Sequence, residues 1–184
     1  MTFTQTITFA NANSARYFFN AGGIVRLAYS KSSTGTDKDP DWNTMAGYCG
    51  TINFTGRVNA AAQTIAGTSY TGTTRIGGTG GTQTTLATTT GFYNLVAGAA
   101  ATSIFQLNDP TSPYTSDYIK TTVALNAGAT VLTFVTTWVD AGYSGAGKSN
   151  NISAGATTAL SYFPPATTYL TASWGTPTLA SSVV

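Results

Sequence analysis

Thr2-Phe3-Thr4-Gln5-Thr6-Ile7-Thr8-Phe9 alternates without a break, with Phe3, Gln5, Ile7 and Phe9 on one side and threonines on the other. Period-two alternation marks a half-buried strand, because successive side chains of an extended chain point to opposite faces. The pattern recurs along the chain. Val25, Leu27 and Tyr29 share one face of a strand expected over 24–29, and further strands are expected over 51–57 and 103–107. The stretches 117–125 and 130–139 read as an antiparallel pair joined by Asn126-Ala127-Gly128. Ile119, Val123 and Leu125 would face the core there, with Leu132, Phe134 and Trp138 across from them. Two last strands are expected over 157–163 and 168–174, separated by Pro164-Pro165.

Composition points the same way. Charged residues make up 8% of the 184 residues, against roughly 25% in an average soluble domain. The surface must therefore be covered by hydroxyls, amides and backbone. Threonine is β-branched and favours strands, while Gly, Asn and Ser supply turns. With 42% hydrophobic and 12% aromatic residues the chain has a core to bury. The expected fold is all-β: an antiparallel β-sandwich, jelly-roll-like, with one or two short helices. One domain over 1–184 is expected, since no internal repeat and no linker divides it.

Two helices are expected. Asn13 or Ser14 would cap a short one that carries Tyr17, Phe18 and Phe19 into the core and ends at Gly22-Gly23. A second would start from Asp39 as cap with Pro40 in its first turn and stop at Gly50, with Trp42, Met45 and Cys49 on one stripe. Phe92-Tyr93-Asn94-Leu95 reads as another turn plugged into the core. The Thr/Gly/Ala-rich stretch 59–90, with its tip at Gly77-Gly78-Thr79-Gly80-Gly81, and the stretch 140–155 read as projecting loops or hairpins. Weak strands are expected near 68–76 and 82–88. Phe18, Phe19, Trp42, Phe92 and Trp138 are the expected core anchors.

The usual parts of acid–base and metal chemistry are scarce. The sequence has no histidine, no glutamate and one cysteine, and chemistry near neutral pH leans on those groups. Asp37, Asp39, Asp41 and Asn43 alternate like the start of a calcium loop. Trp42, however, stands where the turn glycine is required, and no glutamate closes the loop. A solvated loop feeding a capped helix is the better reading. The glycine cluster at 77–81 lacks the Lys-Ser/Thr of a phosphate loop. Asp109, Asp117 and Asp140 sit among turn-forming residues, and nothing in their spacing pairs two of them as a glycosidase needs. No catalytic residue, cofactor or metal ligand is assigned, and the chain is expected not to be an enzyme.

Net charge is +2, with Arg16, Arg26, Lys31, Lys38, Arg57, Arg75, Lys120 and Lys148 scattered, so no nucleic-acid footprint emerges. Cys49 has no partner for an intrachain disulfide and reads as a small buried hydrophobe beside Met45 and Tyr48. Nothing approaches the about 18 apolar residues of a membrane span. Met1-Thr2-Phe3-Thr4 lacks the basic and apolar regions of a signal peptide, so synthesis in a cytoplasm without export is expected. Tyr70, Tyr114, Tyr118, Tyr143, Tyr162 and Tyr169 lie in or beside Thr/Ser/Gly-rich segments. Tyrosine suits interfaces and sugar stacking, and Tyr70, Tyr114, Tyr143 and Tyr162 are the candidate interface residues.

Several motifs occur together in order: Ala15-Arg16-Tyr17-Phe18-Phe19-Asn20-Ala21-Gly22-Gly23, Asp41-Trp42-Asn43-Thr44-Met45, Gly91-Phe92-Tyr93-Asn94-Leu95, Ser112-Pro113-Tyr114 and Trp138-Val139-Asp140. Over about residues 1–140 this set resembles a module of tailed-bacteriophage virion proteins, in which an RYFFN-x-GG turn leads into a strand and an FYNL segment follows. The resemblance implies a non-enzymatic virion structural protein of tail, fibre or baseplate, located in the virion. Its partners would be itself, as a homo-oligomer such as a trimer or hexamer, and other virion proteins. The resemblance brings no catalytic residues. Two alternatives are a carbohydrate-binding module for host surface glycan and a capsid decoration protein.

Overall fold

In a computed structural model the structure describes residues 1–31, 47–59, 64–71, 74–77, 83–86, 90–108, 118–139, 155–165 and 175–184. Among these residues twelve strands and one helix follow in chain order: β1 Thr2–Thr8, α1 Ala12–Asn20, β2 Ile24–Lys31, β3 Gly47–Asn59, β4 Thr64–Thr71, β5 Thr74–Gly77 and β6 Gln83–Leu86. After these come β7 Thr90–Val96, β8 Thr102–Asn108, β9 Tyr118–Leu125, β10 Val131–Val139, β11 Ala156–Phe163 and β12 Thr178–Val183. Two five-stranded antiparallel sheets are ordered β12-β1-β10-β9-β8 and β11-β2-β3-β4-β7, and β5 and β6 form a separate two-stranded sheet. The protein is all-β and sandwich-like, as the alternating stretches lead one to expect.

The alternation decides which sides face. Phe3, Gln5 and Ile7 of β1 are buried, and Leu132, Phe134, Thr136 and Trp138 of β10 join them on the same inner face. The other sheet answers with Val25, Leu27, Tyr29, Ile52 and Phe54. Phe54 meets Phe134 edge-on across the sandwich at 6.4 Å, and Tyr29 stacks on Phe105 at 5.4 Å. Offset and edge-on ring pairs of this kind add to plain burial.

Helix α1 closes one end. Its cap is Asn11, whose side-chain oxygen accepts from the Ser14 N–H at 2.9 Å, so the start lies upstream of the expected Asn13 or Ser14. Asn11 is reached first by the chain leaving β1, and its extended backbone suits a cap. The helix ends in a Schellman motif: Gly23 N–H bonds to Phe18 O and Gly22 N–H to Phe19 O. Gly22 sits at φ +95°, a conformation that costs any side chain strain. Phe9, Phe18 and Phe19 form a ring cluster with separations of 5.1 to 5.8 Å, which anchors the helix on the core.

Three expectations are corrected. Residues 47–50, the expected end of the second helix, open strand β3; the remainder of that stretch, including Trp42 and Met45, lies outside the described residues. Pairing with β2 overrides the stop signal of Gly50 here. Tyr29 pairs with Gly50 and Ser30 with Tyr48, so Cys49 is the extra residue of a bulge. The FYNL segment is not a turn but the middle of β7. Tyr93 and Leu95 alternate toward the core there, and Tyr93 donates a 2.8 Å bond to the Ile104 carbonyl. Within 59–90, β4 is an inner strand between β3 and β7, and β5-β6 form the hairpin. β12 was not anticipated, whereas the expected strand at 168–174 lies outside the described residues.

Candidate interaction surface

Three of the expected core anchors, Phe18, Phe19 and Trp138, are buried. Phe92 pairs through its backbone with Thr68, and Trp42 lies outside the described residues. Among the tyrosines, Tyr114, Tyr143 and Tyr169 lie outside them too. Tyr70 and Tyr118 are placed in β4 and β9 by backbone only. Tyr162 turns inward: its register partner is buried Val25, and its ring meets Phe18 edge-on at 6.2 Å. It packs at the rim of the core and does not stand out as a free contact residue.

All six aspartates, at 37, 39, 41, 109, 117 and 140, lie outside the described residues, and with them the calcium-loop and carboxylate-pair readings. Among the described residues no group of three or more His, Cys or Asp side chains is placed to hold a metal. No helix among them is long and apolar enough to cross a membrane.

Polar groups inside the sandwich form a chain that sequence reading missed. The Tyr29 hydroxyl lies 2.6 Å from Thr121 Oγ1, which lies 2.9 Å from Thr136 Oγ1. All three residues are buried. The chain ties β2 in one sheet to β9 and β10 in the other. Burial in this low-dielectric interior drives the Tyr29 pKa far above the ordinary tyrosine range, and the threonine hydrogen bonds only partly counter it. Sealed from solvent and uncharged, these hydroxyls specify how the sheets align.

The two open sides of the sandwich differ. On one, the Tyr93 bond to Ile104 draws β7 against β8. On the other, β11 lies over β1, where the Gln5 amide nitrogen donates to the Thr158 carbonyl at 2.9 Å. β12 therefore extends one strand beyond its cover, and every residue from Thr178 to Val183 is exposed. Register fixes its faces. Leu179, Ser181 and Val183 pair with Ile7, Gln5 and Phe3, so they share the inward face of β1 yet remain exposed. Leu179 is 42% and Val183 58% exposed. A cleft of about 320 Å³ runs along this seam between Gln5, Thr158, Leu160, Leu179 and Ser181. Gln5 Oε1 and Thr158 Oγ1, both buried, have no hydrogen-bond partner there. Neither β11 nor β12 carries a charged residue.

The outer face of the second sheet holds a polar cluster around Arg26. Arg26 lies over the ring of Phe163 at 4.3 Å and donates through Nε to Asn53 Oδ1 at 2.8 Å. Phe163 is 42% exposed. No protein-family model, no curated protein and no solved structure matches the chain.

Proposed function

We propose that this chain is a non-enzymatic structural protein of a bacteriophage virion, a tail, fibre or baseplate component that works through contacts with copies of itself and with other virion proteins. The observation that carries the reading is the unprotected seam at β11 and β12. Natural sheets blunt their edges with charge, proline or bulges, and here two neighbouring edges carry no charge, with Leu179 and Val183 of β12 exposed on the inward face. Such a surface suits a protein that neighbours lean on. The ordered motifs RYFFN-x-GG, FYNL and Trp-x-Asp supply the phage part of the reading.

Light scattering on the purified chain over a concentration series tests it. A stable oligomer that binds no sugar agrees with the proposal, and a monomer with saturable sugar affinity contradicts it. Imaging particles that carry a labelled chain separates tail from head, and so from a capsid decoration protein. The carbohydrate-binding reading draws on one feature, the exposed Phe163 ring flanked by Arg26 and Asn53. Aromatic surface beside hydrogen-bonding groups is the chemistry a sugar ring needs. Loss of sugar binding in Phe163→Ala would favour it.

A further inference from the structure

The geometry points to β12 as the strand by which two copies of this chain join, edge to edge about a two-fold axis through Ser181. This inference rests on the self-association proposed above and names its surface. The backbone decides which groups are free. Thr2 and Val184 exchange both of their hydrogen bonds, at 2.8 and 2.9 Å. Antiparallel ladders alternate bonded and non-bonded pairs. Thr178, Ala180 and Ser182 therefore spend their N–H and C=O groups on β1, and those of Leu179, Ser181 and Val183 point away from the sheet. Those outward groups have no bond among the described residues.

A second copy fits this edge in one register better than in its neighbours. Two-fold pairing about an axis normal to the sheet sets residues of the same face opposite each other. Centred on Ser181, it opposes Ser181 to itself and Leu179 to Val183 of the second copy, so all three outward-pointing residues exchange bonds. Centred on Ala180, it would oppose Val183 to Pro177, which has no N–H to give. The Ser181 register also brings Leu179 against Val183 on the uncovered inward face, where cross-strand apolar pairs stabilise a sheet. Charge agrees: the strand has none, so a two-fold axis creates no like-charge contact.

The edges at β8 and β11 are less suited. β8 is interrupted by a register shift between Ser103 and Phe105, a device that disrupts edge pairing. β11 runs into Pro164-Pro165. β12 contains no proline and pairs with β1 without a shift.

The full-length chain is examined by light scattering as the wild type, as Ser181→Lys and as Ser103→Lys, with circular dichroism to confirm folding. The Lys at 181 sets two like charges across the axis, whereas that at 103 sits on the opposite edge. Wild type and Ser103→Lys are expected at about twice the single-chain mass of 18.9 kDa or a multiple of it, and Ser181→Lys at that single mass. In a Cys49→Ser background, Ser181→Cys is expected to form a disulfide-linked dimer on mild oxidation, since opposed Cα atoms about 5.5 Å apart lie within disulfide range. Ser103→Cys is expected not to. An oligomer that survives Ser181→Lys and does not cross-link at 181 overturns this inference and leaves the assembly reading standing. A wild-type chain that is monomeric at every concentration overturns both.

Discussion

Replacing Thr121 by valine removes the middle member of the buried hydroxyl chain while keeping its shape. Tyr29 OH, 2.6 Å away, and Thr136 Oγ1, 2.9 Å away, then both lose their hydrogen bond to residue 121 in a sealed interior. Each stranded buried hydroxyl costs about 1–3 kcal/mol. The added methyl group returns about 0.8 kcal/mol of burial, so the expected net loss is about 1–5 kcal/mol. Tyr29→Phe removes an end of the chain instead and leaves Thr121 and Thr136 bonded to each other; the expected loss is about 1 kcal/mol, the net worth of one hydrogen bond. The triple variant Tyr29→Phe, Thr121→Val, Thr136→Val leaves no member unpaired and should recover to within about 1 kcal/mol of wild type. Urea unfolding with an unchanged m value measures all three. If Thr121→Val is no more harmful than Tyr29→Phe, the chain does not work as an interlocked unit and the reasoning fails.

Alkaline pH provides a related prediction. The phenol is neutral when protonated, and burial raises its folded-state pKa above the ordinary 10.0. The folded state therefore keeps a proton that the unfolded state releases above pH 10. The stability from this group is whole below pH 10 and declines above it, by about 1.4 kcal/mol per pH unit. Titrating unfolding free energy from pH 9 to 11 should show that extra slope in wild type and its absence in Tyr29→Phe. Phe18→Ala should cost about 3–5 kcal/mol in the same assay, since the ring is fully buried among Phe9, Phe19 and Tyr162. An unaltered midpoint would place that ring outside the core. Asn126→Ala should cost about 1–2 kcal/mol, because its side-chain oxygen accepts from both Thr130 N–H and Val131 N–H in the β9-β10 turn. Gly67→Ala should exceed the about 1–2 kcal/mol expected of Gly22→Ala. A methyl at 67 would stand 2.6 Å from the Thr55 carbonyl and 2.7 Å from the Phe54 ring, whereas at 22 there is open space and only the φ of +95° to strain. Thermal melts of the two variants rank them, and the reverse order would refute the packing at 67.

Legibility in the sequence followed the size of the alternating residues. β1, β2, β9 and β10 carry apolar groups at most of the inward positions, broken only by Gln5, Thr121 and Thr136, and the reading of their faces agrees with the burial. The Schellman stop at Gly22-Gly23 was equally readable, because only glycine relaxes in that conformation. Local signals misled where tertiary pairing competed with them. Gly47 to Gly50 looked like a helix end but pairs with β2 around the bulge at Cys49, and Tyr93 and Leu95 alternate in a segment read as a turn. β12 gave little signal, since only Leu179 and Val183 are large and its neighbours are small. The seam was invisible from sequence for a different reason. It exists because β1 pairs with β10 on one side and β12 on the other, while β11 covers β1 alone. The Tyr29-Thr121-Thr136 chain spans 92 and 15 residues and becomes legible only once both registers are set.

Amide hydrogen exchange along β12, followed at low and high protein concentration, tests the account most directly. Ala180 and Ser182 donate toward β1 and should exchange slowly in both conditions. Leu179, Ser181 and Val183 should exchange freely when dilute and become protected as the concentration rises, giving an alternating pattern that only a strand added at this edge produces. Free exchange of those three amides at every concentration, in material that is nonetheless assembled or monomeric, would contradict it.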